Sequence, residues 1–178
     1  MPFEINNTDI PEVKFVNVKK FDDERGFFEE VYRNNIFNKS GVSKKFNQIN
    51  LSFSKRNVFR GFHFQLNPEP QGKLVTVVSG KIIDYAVDLR KNSESYKKNV
   101  HYELINGRML FIPEGFAHGF LALEDSYVLY LATNEFNSTL DSGVRYDDKE
   151  LNIELPKNII VSVKDKNLKS LGELNLDF

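Results

Sequence analysis

His63, Lys73 and His118 are the side chains whose types could carry acid–base chemistry at neutral pH. Histidine titrates in that range unperturbed, and a lysine can hold a developing negative charge. His63 lies in Arg60-Gly61-Phe62-His63-Phe64-Gln65, a strand-like segment, and the loop that follows, Leu66 to Gly72, carries Pro68 and Pro70 and leads to Lys73. A hairpin across that loop would put His63 and Lys73 on neighbouring strands, two polar groups sharing one cavity. The same residues fit a plainer reading, a buried histidine bonded to a backbone carbonyl and a lysine snorkelling from a strand end. Arg60 falls on the opposite alternation parity from His63. It reaches the same pocket only if Gly61 permits a bulge; otherwise it is a surface or ion-pairing residue.

His118 stands in Ile112-Pro113-Glu114-Gly115-Phe116-Ala117-His118-Gly119-Phe120, where Pro and Gly mark a turn and the His-Gly step allows close approach to a ligand. A metal reading meets an obstacle: the segment at His63 reads His63-Phe64-Gln65 rather than a His-x-His pair. With two usable histidines and no cysteine, the donor set argues against a transition-metal site. Tyr130, in Val128-Leu129-Tyr130-Leu131-Ala132, and Asp165, after Ser162-Val163-Lys164, would singly be read as a strand tyrosine and a solvated charge. Asp84 and Asp88 face in or out according to which sheet face is buried.

The elements that must position these groups are strands. Sixteen phenylalanines and many Val and Ile favour them, and turn signals recur at short intervals. Alternation is visible at Phe27–Tyr32, Phe46–Phe53, Val58–Gln65, Leu74–Val78, Lys81–Leu89, His101–Ile105, Arg108–Ile112, Ala117–Leu123 and Tyr127–Ala132. Asn106-Gly107 is a hairpin signal of the type needing positive φ, and Ser79-Gly80 does similar work. Only Asn34–Ser40 and Lys166–Leu174 look helical. The pattern predicts a single all-β domain over 1–178, a sandwich or barrel with jelly roll among the candidates.

Composition narrows the function classes. Hydrophobic residues make up 40% of the 178 and charged residues 28%, ordinary for a globular chain. A net charge of −1 gives no global steering towards nucleic acid or an acidic membrane, so an anionic ligand must be held by local basic groups. The absence of cysteine excludes disulfides, thiolate metal sites and a cysteine nucleophile. No signal peptide or membrane-length apolar run is visible, so a cytoplasmic protein is expected.

Taken together, these segments resemble the dTDP-4-dehydrorhamnose 3,5-epimerase family, from Asp23-Glu24-Arg25-Gly26-Phe27-Phe28 to about Asp165. The resemblance runs through Arg60–Gln65, Gln71-Gly72-Lys73-Leu74-Val75, Ala86–Arg90, Ile112–Phe120 and Val163-Lys164-Asp165, with Pro113–Phe120 its strongest run. It implies a cupin-type jelly roll (double-stranded β-helix) with short peripheral helices, a homodimer, no cofactor and a dTDP-sugar substrate. It assigns the base to His63, its orienting carboxylate to Asp165 and the opposite-face acid to Tyr130. Arg60, Lys73 and His118 would contact substrate, and Arg25, Phe28, Gln48, Asn50, Phe136, Asp141 and Lys164 match further contact positions. Glu30 aligns with a contact supplied across the dimer. Departures are Ile49 for a frequent Asp, Leu131 for a Lys after the Tyr, Glu135-Phe136 for an aromatic pair, Asp141 for a Glu, and Tyr146 for a Trp.

The implied reaction is inversion at C3 and C5 of dTDP-4-keto-6-deoxy-D-glucose. Both hydrogens flank the C4 ketone, so loss of either gives an enolate whose oxygen Lys73 could stabilise. Three other readings stay open: a single-site C3 or C5 epimerase, motivated by Ile49, Leu131 and Glu135; a non-catalytic sugar-nucleotide binding module; and a metal-dependent cupin.

Overall fold

The computed structural model describes residues 1–42 and 45–178, and nearly all of its regular structure is strand. In chain order the strands are β1 Phe3–Asn7, β2 Lys14–Val18, β3 Lys20–Asp23, β4 Gly26–Glu29, β5 Gln48–Ser54, β6 Val58–Gln65 and β7 Lys73–Ser79. They continue with β8 Lys81–Asp88, β9 Asn99–Ile105, β10 Arg108–Ile112, β11 Phe116–Ala122, β12 Ser126–Ala132, β13 Asp141–Gly143 and β14 Ile160–Val161. Helices α1 Asn34–Lys39 and α2 Val163–Lys166 are one to two turns long.

The first sheet runs β1-β2-β10-β7-β12-β5 and the second β13-β6-β11-β8-β9, with β14 parallel to β6; β3 and β4 form a separate hairpin. From β5 to β8 the chain changes sheet at every step, and it does so again from β9 to β12. That alternation makes the fold a jelly roll, closed by two facing sheets rather than by a run of hairpins. It also corrects two local expectations. The Asn106-Gly107 turn, with Gly107 at φ +90, joins β9 in one sheet to β10 in the other, and Ser79-Gly80 likewise carries the chain between sheets. Turn chemistry specifies that the chain reverses, not which strand it then pairs with.

Between the sheets lies a core of Val75, Val77, Ile82, Ala86, Leu104, Leu110, Ile112, Phe116, Phe120 and Val128. A second cluster covers the outside of the second sheet, where Phe59, Phe62, Phe64, Tyr85, Val87 and Leu89 meet Leu151, Leu171 and Leu176 of the C-terminal segment. Burying each such side chain contributes about 1.5–3 kcal/mol, so apolar packing is ample to hold that segment on β6 and β8. The third cluster packs α1, through Phe37, on the outer face of the first sheet at Leu74, Met109, Phe111 and Leu131.

The expected helix at Lys166–Leu174 is corrected. Helix α2 ends at Lys166, and a separate 3-10 turn spans Leu171–Glu173. The Ser162 hydroxyl caps α2, accepting from the Asp165 N–H at 3.0 Å. Strand β4 ends at Glu29 rather than running to Tyr32, which packs against Phe37 and Phe46 instead. Among the described residues no helix is long and apolar enough to cross a membrane.

Candidate active site

Strand β6 carries the geometry on which the site depends. His63 pairs in register with His118 of β11, but Arg60 pairs with Phe120, so three steps on β6 oppose two on β11. This is a bulge, centred on Gly61 at φ +136. A Cβ on Gly61 would lie 2.5 Å from the Gly119 Cα, and one on Gly119 would meet Arg60 O, Phe59 and Phe62 at 3.0 Å. The two glycines let the strands touch here, so the close approach that Gly119 allows is to β6. The bulge also resets the alternation: Phe59, Phe62 and Phe64 all face the outer cluster, leaving Arg60 and His63 on the other face. The parity objection to Arg60 is thereby removed.

His63 and Lys73 do not sit on neighbouring strands. They belong to opposite sheets and face each other across the interior. Lys73 opens β7, a start fixed where the Gly72 N–H donates to the Thr133 hydroxyl at 2.9 Å and that hydroxyl donates to Glu114 at 2.9 Å. Its ammonium lies 5.9 Å from the centre of the Tyr130 ring. Tyr130, from β12, shares the interior face with Val128. Base candidate and phenol thus come from opposite walls.

The imidazole of His63 donates from Nε2 to Asp165 Oδ1 at 2.7 Å, leaving Nδ1 as the nitrogen able to take a proton. Asp165 is 3% exposed, not solvated. Burial alone would raise its carboxyl, but the bonds and charge of His63, the Gly61 N–H and Ser162 outweigh burial and hold it below the usual range. Burial raises the Tyr130 phenol, with Arg60 opposing and Asp141 reinforcing, so the hydroxyl keeps its proton at neutral pH. Lys73, 9% exposed, is lowered to about 8, mainly by burial and also by Lys164, against the pull of Asp84 and Asp141.

A second imidazole–carboxylate pair adjoins the first. His118 Nε2 donates to Asp84 Oδ1 at 2.7 Å, and Asp84 is fully buried. Sequence left the direction of Asp84 undecided because both faces of β8 are buried, so no polar face marked the outside. Asp141 of β13 forms an ion pair with Lys164 of α2 at the edge of the same cavity. His101, by contrast, is exposed and lies against Tyr85.

The remaining predicted residues divide into two groups. Gln48 Oε1 accepts the Phe136 N–H at 2.7 Å, and Gln48 Nε2 donates to Asn50 at 2.9 Å, joining all three at one rim. Gln65, which sequence reasoning passed over, clamps the other side of that loop by accepting from the Asn137 N–H at 2.9 Å and donating to Glu135 O at 3.1 Å. Its place two residues past His63 on the same strand face was the available signal. Arg25, Phe28 and Glu30 are not brought to His63. Arg25 pairs with Asp23, Glu30 with Arg33, and Phe28 is 68% exposed.

Two of the sequence departures turn away from the cavity. Leu131 is buried in the cluster beneath α1, and Ile49, its cross-strand partner, lies on the same outer face. Among the described residues no group of three or more His, Asp or Glu is clustered to hold a metal ion.

Comparison with known proteins bears on the family and the fold. The sequence model of the dTDP-4-dehydrorhamnose 3,5-epimerase family matches residues 7–173. A protein of that name from Methanothermobacter thermautotrophicus is 43% identical over 178 residues, covering 96% of both sequences. The crystal structure of the enzyme of that name from Sulfolobus tokodaii superposes with a TM-score of 0.92 at 42% identity over 99% of each chain. A Legionella pneumophila epimerase solved in complex with dTDP-4-keto-L-rhamnose gives a TM-score of 0.92 at 35% identity, over 97% of this chain and 95% of that one.

Proposed function

The chain belongs to the dTDP-4-dehydrorhamnose 3,5-epimerase family, and on that premise we propose how its residues share the work of the reaction. It is an isomerase that inverts C3 and C5 of dTDP-4-keto-6-deoxy-D-glucose to give dTDP-4-keto-L-rhamnose, a step of dTDP-L-rhamnose synthesis.

His63 Nδ1 takes the proton from the carbon beside the ketone, while Asp165 on Nε2 fixes the ring and favours the imidazolium that forms. The electron pair moves to the C4 oxygen, and Lys73 stands beside the enolate. Tyr130 returns a proton from the opposite face, inverting the centre; solvent then restores the phenol and removes the proton from His63. Arg60, His118, Asp141, Lys164, Gln48, Asn50 and Phe136 hold the nucleotide and sugar, supplying the positioning without which a weak carbon acid would not react. The observation that carries this reading is the placement of the His63–Asp165 pair and Tyr130 on facing sheets, with Lys73 beside Tyr130. The departures at Ile49 and Leu131 lend little to a single-site reading, because neither faces the cavity.

The test is turnover in D₂O followed by NMR. Wild-type protein should place deuterium at both C3 and C5 with inversion. Tyr130→Phe should still exchange these hydrogens, yet form at most about 1% of the wild-type inverted product per unit time, within the range for a lost general acid. Inversion at the wild-type rate would remove Tyr130 from the acid role.

The working unit is a homodimer in which the β3–β4 hairpin of one copy completes the site of the other. This accounts for Arg25, Phe28 and Glu30 lying away from His63 in their own chain. It also gives an occupant to the exposed apolar face of Ile49, Leu51, Phe53, Val78 and Tyr127, each 43–67% exposed. Mixing inactive His63→Asn protein with inactive Arg25→Ala protein should recover activity, since mixed dimers regain one intact site. No recovery, with mixed dimers demonstrated by native mass spectrometry, would oppose the shared site.

A further inference from the structure

We infer that Asp84 is a positioning residue for the reaction: its buried carboxylate, bound on one oxygen by His118, orients that imidazole and serves as counter-charge to the Lys73 ammonium. The inference rests on Lys73 being the cation beside the enolate oxygen.

The geometry points this way through three features. Asp84 lies on the interior face of β8 between Ile82 and Ala86, fully buried, where an ionised carboxylate without partners would be costly. Oδ1 is occupied by the 2.7 Å bond from His118, while Oδ2 has no hydrogen-bond partner among the described residues, so the carboxylate is not neutralised by contact alone. The groups facing Lys73 are Asp84 from β8, Asp141 from β13, Lys164 from α2, His118 from β11 and Tyr130 from β12. Only two of these are anions, and Asp141 is already in an ion pair with Lys164 and lies nearer solvent. Asp84 is thus the carboxylate whose charge remains for Lys73.

Burial pushes the Asp84 carboxyl up, with His118 and Lys73 opposing, and it pushes the buried imidazole of His118 down, so the ring is neutral; the carboxylate is taken as ionised, held so by the His118 bond and the Lys73 cation. In that state the His118 ring donates from Nε2, and its tautomer is fixed. The carboxylate touches neither Tyr130 nor His63 by any hydrogen bond in the structure. Its influence on the chemistry passes through Lys73 and His118.

The experiment is a pH profile of kcat/KM for Asp84→Asn beside wild type, from pH 6 to 8.5. Asparagine keeps the shape and an oxygen for His118 but removes the charge. Without that charge Lys73 releases its proton at lower pH, so the variant-to-wild-type activity ratio should fall as pH rises. A one-unit displacement makes the ratio about fivefold lower at pH 8 than at pH 6. A purely structural role predicts a ratio that does not vary with pH, and that result would overturn the inference. The wild-type profile separates the underlying reading: if wild type shows no alkaline limb near pH 8, the role of Lys73 fails first. Should Asp84→Asn not fold, ¹³C NMR of the wild-type Asp84 carboxyl decides. The shift of an ionised carboxylate throughout pH 6 to 8 supports the role, and a neutral acid at pH 7 refutes it.

Discussion

Replacing His63 with glutamine is expected to lower kcat/KM by about 10²–10⁴, the contribution of a positioned general base, and to abolish deuterium uptake at C3 and C5 together. Glutamine is the informative replacement because its amide nitrogen takes the place of Nε2 and can still donate to Asp165. Alanine would leave a carboxylate that is 3% exposed with only the long 3.5 Å bond from the Gly61 N–H and its link to Ser162. Stranding a buried charge destabilises by several kcal/mol, which would confuse loss of base with loss of fold. Thermal unfolding of His63→Gln should therefore stay close to wild type while exchange disappears. Exchange at both carbons at the wild-type rate would mean that another group takes the proton. The adjoining His118 would then be the next residue to replace, since it pairs in register with His63 across the bulge.

The second large effect is expected at Lys73. Losing one preorganised partner of a developing oxyanion costs about 10²–10³ in kcat, so Lys73→Met should lose that much while KM moves little. The pH dependence supplies the sign. Wild-type Lys73 is lowered to about 8, so below that pH it is charged and the enolate has its cation. Above it the cation is lost, and kcat/KM should fall about tenfold per pH unit. Methionine fills similar volume without titrating, so the variant should be slow at every pH and lack that limb. Persistence of an alkaline limb near 8 in Lys73→Met would assign it to another group.

How much of this was visible before the structure depends on the physical signal each feature leaves. Strands β6 and β10 were bounded correctly because alternation and turn residues agree there. Short strands such as β13 and β14, two or three residues each, carry too few residues to alternate at all. The assignment of strands to sheets was not legible. The loop from Leu66 to Gly72 reads equally as a hairpin and as a bridge between layers, and only the packing of whole faces decides. The side of Arg60 hangs on a bulge at Gly61 that sequence allows but does not require, because one inserted glycine shifts every residue beyond it to the other face. Asp84 was ambiguous for the opposite reason, lying on a strand buried on both sides. Asp165 owes its place to the apolar contacts of the C-terminal segment, a cause far from it in sequence.

That last feature has an effect on how the protein is made. His63 and Asp165 stand 102 residues apart, joined through a short capped helix that docks beside β6. A ribosome that has translated β6 to β12 has already made the proposed base, cation and acid, but not the carboxylate that aims the base. If His63 takes the proton, turnover begins only when the later part of the chain has been synthesised and has closed over β6. A nascent chain, or one clipped before α2, would hold most of the groups that grip a nucleotide sugar and lack the oriented imidazole that transforms it. On that reading, catalysis would report on the completion of folding.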